Sequence, residues 1–554
     1  MKKILSLIMI FVLAFSALTL AGCKKDAAEG TDNSAETVTQ DPIETLEVKP
    51  SQDKYRNFYH IWVCSFNDTN GDETGDLNGI TEMLDYLNDG DPTTTTDLGI
   101  DGIWLSPIMP SDSYHKYDVD DYMDIDPEFG TLEDFDRLIA ECDKRGITVI
   151  LDLVLNHCGG GHEFFKKAME EAKEGNLDGY ADYYRFAITT DSPGEGWRTS
   201  MSNLGLWYEG QFSGEMPEWN LASEKTRAYF EEVAKFWLER GVGGFRLDAV
   251  KYMTDETTDG AEFLKWFYET SQKYNPDVYM VGENWQSNSY LYDTYASGID
   301  SQFAFSFATA SGNVVTAVNS ENGNTLSSQL KKFDEGSVQA NPDVINAMFI
   351  SNHDMVRSAN YFSGDLSKEK MAAALYMLCP GNTFTYYGEE LGLEVPGGFT
   401  GNDAYFRSAM PWDSDVEPDI WCTADAYAIN DKGGVKQQQE DENSLLNFYK
   451  RVIRIKNQNP EIARGHITET FTFDNKAICA YKVEYEGEAL LIVHNLDDEN
   501  SATLEISDDI LSSPQLRGYL IATGEEAENT ENVTLSGTTL KMPARSSVVI
   551  GTEN

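Results

Sequence analysis

The sequence has few basic residues. Its 42 lysine and arginine residues face 93 aspartate and glutamate residues, which gives a formal net charge of −51 at pH 7. A surface of this charge repels phosphate backbones and anionic lipid headgroups, so we expect no nucleic-acid partner. A neutral polymer such as a polysaccharide meets no such repulsion. The need for solubility explains most of this charge. The charge therefore argues against anionic partners but does not identify the partner that the protein binds.

Cysteine is also scarce, and its spacing is not that of a metal site. The seven cysteines include no Cys-x-x-Cys pair. Buried single thiols are the default interpretation. An extracellular location would permit a disulfide, but the sequence indicates no pair.

One long apolar run stands out, at residues 4–20, and Lys2 and Lys3 precede it. The run is shorter than the about 20 residues of a typical membrane-spanning helix, and its pattern is that of an export signal. Together with Leu20-Ala21-Gly22-Cys23 it resembles a bacterial lipoprotein signal, which implies cleavage before Cys23 and acylation of Cys23. We predict a signal peptide over 1–22, with a plain signal peptide or a short membrane helix as alternatives.

Residues 23–50 are rich in Asp, Glu, Thr, Ala and Ser and poor in apolar residues, so they cannot bury a core. We interpret them as a flexible tether. It would hold the protein at the extracellular face of the cell membrane, with the lipid anchor as its only membrane contact.

From residue 58 onward, short apolar runs alternate with amphipathic helical stretches, which predicts an α/β fold with a parallel sheet. Two helices are expected at 132–145 and 224–240, each followed by a glycine suited to a helix C-cap. Eight strands indicate a (β/α)₈ TIM barrel. The predicted strands cover residues 59–64, 102–106, 148–155, 244–248, 278–283, 299–303, 347–352 and 383–387.

The spacing of these strands divides the barrel into two parts. We place them at 51–157 and 222–460, with an inserted domain B at 158–221 after strand 3, where aromatic and Gly-rich sequence shows no clear period. From residue 461 to 554 the pattern changes to short alternating strands, such as 489–493 and 546–550. It predicts a C-terminal antiparallel β-sandwich domain.

Carboxylates stand at the C-terminal ends of the predicted strands, where barrel enzymes place their catalytic groups. Asp248 ends the fourth strand, Glu283 ends the fifth, and Asp354 follows the seventh. Retaining glycoside hydrolysis needs one carboxylate as nucleophile and a second, protonated one as acid. Crowded acids raise the pKa of at least one of them. A single acid here would more often cap a strand, whereas three at one mouth favour catalysis.

Four segments that contain these acids resemble the signature regions of the α-amylase family of glycoside hydrolases, in the same order and on the corresponding strands. The resemblance extends over about residues 54 to 554. It implies that Asp248 is the nucleophile, Glu283 the general acid/base, and Asp354 the carboxylate that grips the sugar hydroxyls in the transition state. The four segments are 152–157, 244–248, 282–285 and 352–354.

The resemblance also implies contacts with the sugar. Arg246 would hold Asp248 ionised, Tyr117 would stack on the sugar ring, and Lys251 would bind the sugar on the leaving-group side. Trp285 offers an aromatic platform at the cleft, with core packing as the alternative. Asp152 lies deeper in its strand and is expected to be structural. The predicted substrate-binding residues are Tyr117, His115, His157, Arg246, Lys251, Trp285, His353 and Arg357.

We predict a secreted, retaining α-amylase-type hydrolase that cleaves α-1,4 bonds in starch-like glucans and acts as a monomer. The stretch Asp248-Ala249-Val250-Lys251 resembles α-1,4-cleaving members. Residues 216–220 (Met-Pro-Glu-Trp-Asn) resemble a segment of oligosaccharide-cleaving and intermediate members, so endo or exo attack stays open. A 4-α-glucanotransferase or a cyclodextrin- or pullulan-degrading relative is an alternative within the family. An inactive glucan-binding lipoprotein is the alternative outside it.

A loop after the first strand predicts a structural calcium ion, and no organic cofactor is required. Its oxygen-bearing residues alternate as in loops that wrap a hard cation. Glu73 stands at the sixth position, where Gly is usual, and is expected to strain the turn. A polar loop without metal is the alternative, and Tyr252 replaces the histidine that many α-amylases carry beside the family's shared calcium site. The predicted ligands are Asp68, Asn70, Asp72, Thr74 and Asp76.

Overall fold

The computed structural model describes residues 56–201, 204–254, 258–396, 402–416, 420, 431–524 and 532–552. All of them belong to one compact unit. The predicted signal peptide, the tether and Cys23 lie outside the described residues. Within the ranges given, no helix has both the length and the apolar composition needed to cross a membrane.

The strands and helices are numbered in chain order through the described residues. The strands are β1 (Asn57–Ile61), β2 (Gly102–Leu105), β3 (Thr148–Leu153), β4 (Phe186–Ile188), β5 (Trp197–Met201), β6 (Leu206–Glu209), β7 (Gly244–Leu247), β8 (Tyr279–Gly282), β9 (Ser301–Gln302), β10 (Ala347–Met348), β11 (Asn382–Tyr386), β12 (His466–Phe471), β13 (Ile478–Tyr485), β14 (Glu488–Asn495), β15 (Ala502–Glu505), β16 (Pro514–Ile521), β17 (Thr534–Ser536), β18 (Thr539–Met542) and β19 (Ser546–Thr552). The helices are α1 (Leu77–Glu82), α2 (Leu84–Leu87), α3 (Leu132–Lys144), α4 (Glu163–Lys173), α5 (Glu224–Glu239), α6 (Gly260–Ser271), α7 (Asn288–Tyr295), α8 (Asn313–Ser320), α9 (Gly323–Ala340), α10 (Leu366–Met377), α11 (Val435–Glu440), α12 (Leu445–Gln458) and α13 (Pro460–Arg464).

Eight parallel strands form the barrel in the order β10-β11-β1-β2-β3-β7-β8-β9. A parallel bridge between Phe303 and Ala347 joins the last strand to the first and closes the ring. Each strand overlaps one of the eight predicted from the sequence, so the predicted TIM barrel is confirmed. Buried rings such as Phe58, Trp104 and Phe384 fill the interior, which is therefore a packed core rather than a pore.

Close contact between β7 and β8 brings the strands that lead to Asp248 and Glu283 side by side. Gly244 opens β7, and a Cβ atom there would lie 1.8 Å from the carbonyl oxygen of Tyr279. Only glycine fits this position. The helices α3 and α5 match the two predicted ones, and both are followed by glycines in the left-handed region, Gly146 (φ 70°) and Gly241 (φ 97°).

The segment between β3 and α5 contains α4 and a small antiparallel sheet of order β4-β6-β5. Its end pairs with the exit of β3, because Trp219 N–H donates to the carbonyl of Asn156 at 3.0 Å and Cys158 N–H donates to that of Pro217 at 3.0 Å. Trp219 is buried and stacks on Tyr184 at 4.8 Å. These contacts hold the segment against the residues that follow β3.

Two antiparallel sheets form the C-terminal part, one of order β12-β13-β14-β19-β16 and one of order β15-β18-β17. Apolar side chains from both sheets, including Leu491, Val548 and Leu540, form one buried cluster. The predicted antiparallel C-terminal domain is confirmed.

Candidate active site

Three carboxylates meet at the C-terminal mouth of the barrel. Asp248 directly follows β7, Glu283 directly follows β8, and Asp354 lies on the loop after β10. All three line one cavity of about 720 Å³. That volume lies within the range of about 300–1,000 Å³ typical of small-ligand sites.

A single buried arginine touches the two acids expected to act on the glycosidic bond. Arg246 Nη1 donates to Asp248 Oδ1 at 2.6 Å and to Asp152 Oδ1 at 2.7 Å. Its Nη2 lies 3.2 Å from Glu283 Oε2, and the side chain has no exposed surface. Asp152, which also accepts from the Tyr117 hydroxyl at 2.8 Å, holds the guanidinium in place. Asp152 is 1% exposed and supports the side chain of Arg246, which agrees with the structural role expected of it.

Glu283 is placed to carry a proton at neutral pH. Burial raises its pKa to about 8; Arg246 opposes this rise, and the negative charges of Asp248 and Asp354 add to it. The backbone N–H of Ala249 donates to Glu283 Oε2 at 2.9 Å. Ala249 adopts φ 52°, a left-handed conformation that is uncommon for residues other than glycine. The left-handed backbone at Ala249 thus directs its N–H group towards the carboxyl group of Glu283.

Asp354 has the opposite electrostatic environment. Burial by itself raises its pKa, but His353 and Arg407 hold that pKa well below its usual range. His353 Nε2 lies 3.1 Å from Asp354 Oδ2, and Arg407 Nη2 lies 3.0 Å from Oδ1. Arg407 is itself fixed over the indole ring of Trp62, 4.4 Å from the ring centroid. Asp354 is therefore an anion at neutral pH, and 36% of its side chain is exposed.

Aromatic side chains form much of the remaining wall. Phe212, from the segment between β3 and α5, is 45% exposed, and Trp285, from the loop after β8, is 44% exposed. Phe212 is held between His157 at 4.9 Å and Tyr252 at 5.2 Å. Trp285 stacks on Phe305 at 4.8 Å and an interplanar angle of 15°. Exposed rings suit sugar stacking, and core packing does not describe Trp285.

Five of the eight residues predicted to bind substrate line this cavity, namely Tyr117, His115, His157, Lys251 and Trp285. The other three, Arg246, His353 and Arg357, are at most 1% exposed and do not form its wall.

Arg246 pairs with Asp248, in the position expected of the residue that holds this acid ionised, and His353 contacts Asp354. The burial of His353 and Arg357 differs from the direct sugar contact expected of them. Arg357 is stacked on Tyr386 and Tyr387, with its guanidinium 4.3 and 4.6 Å from their ring centroids. It donates to the carbonyl of Tyr387 behind the cavity.

Sequence reasoning missed Arg407 and Phe212. Arg407 ends a short 3₁₀-helix (Asp403–Arg407) after β11, far in sequence from Asp354. Phe212 lies four residues before the segment Met216–Asn220, which resembles a segment of oligosaccharide-cleaving members. That resemblance was the one feature of the sequence that pointed to this region. No motif marked Arg407.

The predicted calcium loop is tightly self-bonded. Asp68 Oδ1 accepts from the N–H groups of Asn70 at 2.9 Å and Gly71 at 2.8 Å, and its Oδ2 accepts from that of Glu73 at 2.9 Å. Glu73 adopts φ 72°, which confirms the predicted strain at the sixth position.

The other acidic ligand at the end of the loop is also engaged. Asp76 caps α1 by accepting from Gly79 N–H at 2.7 Å and also accepts from the Thr69 hydroxyl at 2.9 Å. Among the described residues, no group of three or more His, Cys, Asp or Glu side chains is arranged to hold a metal ion. Carboxylate and amide oxygens are suitable ligands for calcium. In this structure, however, backbone N–H groups donate hydrogen bonds to most of these side-chain oxygens.

The described cysteines fall into two classes. Cys142, Cys158, Cys379 and Cys479 are free and buried, as the default interpretation predicts. Cys64 is disulfide-bonded. Sequence spacing gave no indication of this bond.

Comparison with known families matches nearly the whole of the described chain. The α-amylase catalytic-domain model matches residues 60–465, and the model of the α-amylase SusG C-terminal domain matches residues 478–549. The two matches correspond to the barrel with its inserted segment and to the C-terminal sheets.

Individual relatives agree with these matches. Alpha-amylase 3 of Dictyoglomus thermophilum is 36% identical, over 80% of this chain and 85% of its own. A 4-alpha-glucanotransferase of Thermotoga neapolitana is 30% identical, over 79% of this chain and 95% of its own. The solved structure of Eubacterium rectale Amy13B is 37% identical and superposes with a TM-score of 0.82, covering 92% of this chain and 97% of that one.

Proposed function

The chain belongs to the α-amylase family of glycoside hydrolases, and we propose that it cleaves α-1,4-glucosidic bonds in starch, maltodextrins and related α-glucans with retention of configuration. The observation that carries this proposal is the pair Asp248 and Glu283, which share one guanidinium while burial favours the protonated form of Glu283. Arg246 pairs with Asp248 at 2.6 Å, while burial raises the pKa of Glu283 to about 8. A carboxylate beside a carboxylic acid is what the retaining mechanism requires.

The first chemical step needs both groups. Protonated Glu283 donates its proton to the glycosidic oxygen as the bond from that oxygen to the anomeric carbon breaks. Asp248 attacks the anomeric carbon from the opposite face and forms a covalent glycosyl ester. Asp354, an anion held by His353 and Arg407, accepts hydrogen bonds from sugar hydroxyls as positive charge develops on the ring.

The second step returns the enzyme to its starting state. Glu283, now ionised, takes a proton from water, and the resulting hydroxide attacks the anomeric carbon and displaces Asp248. Two inversions leave the product with the configuration of the substrate. The same intermediate, attacked by a sugar hydroxyl instead of water, would give a longer glucan.

The test is a time course of products from soluble starch, pullulan and maltoheptaose, with ¹H NMR of the first anomer released. We expect falling polymer size and α-anomeric products from the native enzyme, and no turnover by Asp248→Asn. A β-anomer as first product would contradict retention. Full activity of Asp248→Asn would contradict the nucleophile assignment.

A second candidate activity is transfer of a glucan chain to another sugar. It is supported by the similarity to a 4-alpha-glucanotransferase and by Phe212 and Trp285, whose exposed rings could hold an acceptor sugar. Chains longer than maltoheptaose in the maltoheptaose reaction would favour transfer. Their absence at high substrate concentration would favour hydrolysis alone.

We also propose that the loop from Asp68 to Asp76 binds a structural calcium ion. The alternation of oxygen-bearing residues along the loop and the left-handed turn at Glu73, which curves the backbone of the loop, support this. Addition of calcium to chelator-treated protein is expected to raise the melting temperature, and Asp68→Asn with Asp72→Asn is expected to remove the rise. An equal rise in that double variant would place any calcium elsewhere.

Export and lipidation at Cys23 remain our proposal for localisation, based on the signal-like run and the Leu20–Cys23 segment. The Cys23→Ser variant is expected to leave an unprocessed precursor or to release the protein from membranes. Unaltered maturation and membrane association would contradict lipidation.

A further inference from the structure

Lys116 is a buried cation in the loop after β2, and it stands between two residues of the catalytic cavity. His115 and Tyr117 line that cavity, whereas Lys116 does not. Lys116 is 4% exposed and lines a second cavity of about 670 Å³, which shares no lining residue with the catalytic one. Successive side chains of this loop thus face different cavities, and Lys116 faces away from the substrate.

The backbone at Lys116 is strained. Its φ of 61° is a left-handed conformation that residues other than glycine seldom adopt. The N–H of Lys116 donates to the carbonyl of Ser113 at 3.3 Å, which closes a turn just before Tyr117. A strained backbone of this kind persists only where the surrounding contacts enforce it. At Lys116 the side chain supplies such contacts.

The ammonium group of Lys116 ties the loop to a neighbouring turn of the chain. Its Nζ lies 2.8 Å from Asp126 Oδ2 and 2.7 Å from Glu128 Oε2, and it donates to the carbonyl of Ser111 at 3.3 Å. Burial lowers the pKa of Lys116, but the two carboxylates outweigh burial and hold that pKa above its usual value. The ammonium group therefore stays charged at neutral pH.

The turn that receives the ammonium group is itself well fixed. Asp126 is 4% exposed, and its carboxylate accepts from the N–H groups of Ser111 at 3.2 Å and Glu128 at 3.0 Å. Its carbonyl accepts from Phe129 N–H at 2.8 Å. A buried ion pair adds little net stability compared with apolar packing, and fixing one geometry is the best-attested use of such a pair.

Tyr117 connects this anchor to the catalytic carboxylates. Its hydroxyl donates to Asp152 Oδ2 at 2.8 Å and lies 2.7 Å from His353 Nε2. Its N–H donates to His115 Nδ1 at 3.1 Å. The catalytic residues thus hold the hydroxyl end of Tyr117, and the turn at Lys116 holds its backbone end. A shift of that turn moves the ring that faces the sugar.

We propose that Lys116 is a positioning residue of the active site: its ammonium group, held by Asp126 and Glu128, fixes the turn that places Tyr117 in the catalytic cavity. Lys116 touches neither the substrate nor the reacting atoms. The inference rests on the proposed hydrolase function and extends it to a residue behind the cavity wall.

A double-mutant cycle tests whether Lys116 acts through Tyr117. We measure kcat/KM for maltoheptaose with the native enzyme, Lys116→Met, Tyr117→Ala and the double variant. Methionine keeps an unbranched stem but removes the ammonium group. We expect kcat/KM to fall at least tenfold on Lys116→Met in the native background and less than twofold in the Tyr117→Ala background. An equal fall in both backgrounds would overturn the proposal, as would native kcat/KM in Lys116→Met.

Two further variants separate positioning from a general loss of stability. Lys116→Gly adopts the left-handed backbone freely, so it folds without strain but lacks the ammonium group. It is expected to lose kcat/KM as Lys116→Met does, and native kcat/KM in Lys116→Gly would overturn the proposal, because the turn would then place Tyr117 without its anchor. Melting curves verify that the variants are folded.

Lys370→Met is the matched control, because it also removes a buried ammonium group, from a lysine that is 1% exposed and does not line the catalytic cavity. It is expected to keep native kcat/KM at 25 °C. A fall equal to that of Lys116→Met would overturn the proposal, since loss of stability alone would then explain both. Failure of the hydrolase function itself would look different, because the native enzyme would then not cleave maltoheptaose.

Discussion

Two acids in the same cavity, Glu283 and Asp354, have pKa values displaced in opposite directions. Burial dominates at Glu283 and favours its neutral form, whereas Asp354 has close contacts with His353 and Arg407 that outweigh burial. Environments that push the pKa values of neighbouring acids apart assign their roles. Glu283 is thereby suited to donate a proton, and Asp354 to bind sugar hydroxyls as an anion.

The raised pKa of Glu283 predicts the alkaline limb of the pH profile. The acid is active while protonated, so kcat/KM should fall as the pH rises through about 8. Glu283→Gln should lower kcat by about 100- to 10,000-fold. A profile measured from pH 5 to 10 with maltoheptaose, whose sugar leaving group needs the proton of the acid, provides the check. A limb that persists unchanged in the residual activity of Glu283→Gln would assign it to another group.

The raised pKa of Glu283 also makes the folding stability depend on pH. A carboxyl whose pKa is higher in the folded than in the unfolded protein binds its proton more tightly when folded, so folding stability declines as the pH rises from about 4.5 to about 8. Glu283→Gln removes this penalty. Its melting temperature should therefore exceed that of the native enzyme at pH 8, and the difference should shrink at pH 5. A pH-independent difference would argue against a buried, titrating Glu283.

Ala249 offers a test of the strained turn after Asp248. Glycine adopts φ 52° freely, so Ala249→Gly should keep the N–H contact with Glu283 and change stability by less than about 1 kcal/mol. Ala249→Val places a β-branched residue in the left-handed region and should cost about 1–3 kcal/mol. It should also lower kcat, because the N–H would turn away from Glu283. Denaturant unfolding and kcat provide the readouts, and equal behaviour of both variants would contradict the role of the turn.

At the scale of elements, the eight barrel strands were predictable because each overlaps a short apolar run between helical stretches, although their lengths range from two residues in β9 to six in β3. Asp248, Glu283 and Asp354 were predictable because they follow such runs, and the C-terminal ends of the strands share one mouth. The contacts made by the loops were not predictable. Arg407 lies in a 3₁₀-helix after β11 and contacts Asp354, and the local sequence of neither segment indicates that the two side chains meet. Burial of His353 and Arg357 likewise depends on packing between loops, which no single segment determines.

The loop after β11 therefore has a testable role in positioning Asp354. Arg407→Ala removes the guanidinium that contacts Asp354 and should lower kcat by about 100-fold, since a displaced group costs about that much. The pKa of Asp354 should rise, so the acidic limb of kcat/KM should move to higher pH. Arg407→Lys should restore part of both effects.

Arg240→Ala is a matched control, because Arg240 pairs with Asp136 on the outer helices. It should leave kcat and the pH profile at native values. A lower kcat in Arg407→Ala with an unmoved acidic limb would mean that Arg407 supports the fold of the loop but not the charge of Asp354.

At the scale of the whole molecule, the barrel and the C-terminal sheets are joined by buried polar contacts as well as by apolar ones. Asp334 in α9 accepts from the N–H of Ile467 in β12 at 2.7 Å and from the Asn346 amide at 2.7 Å. On another side, Lys370 in α10 is 1% exposed and donates to Thr523, which follows β16, at 3.1 Å. These contacts fix the sheets against the helices that surround the catalytic strands.

Lys370 tests how far this junction contributes to stability without touching catalysis. Besides the Thr523 carbonyl, its ammonium group donates to the carbonyl of Asn443 at 2.5 Å and to Asn443 Oδ1 at 2.9 Å. Lys370→Met keeps the apolar stem but removes three hydrogen bonds of the ammonium group, which should lower the free energy of unfolding by about 1–3 kcal/mol. Lys368→Met, two residues earlier on the same helix at a less buried site, should change it by less than about 1 kcal/mol. Thermal unfolding should thus separate the two variants while kcat at 25 °C stays native in both, and a fall in kcat with Lys370→Met would mean that the C-terminal sheets also shape the catalytic mouth.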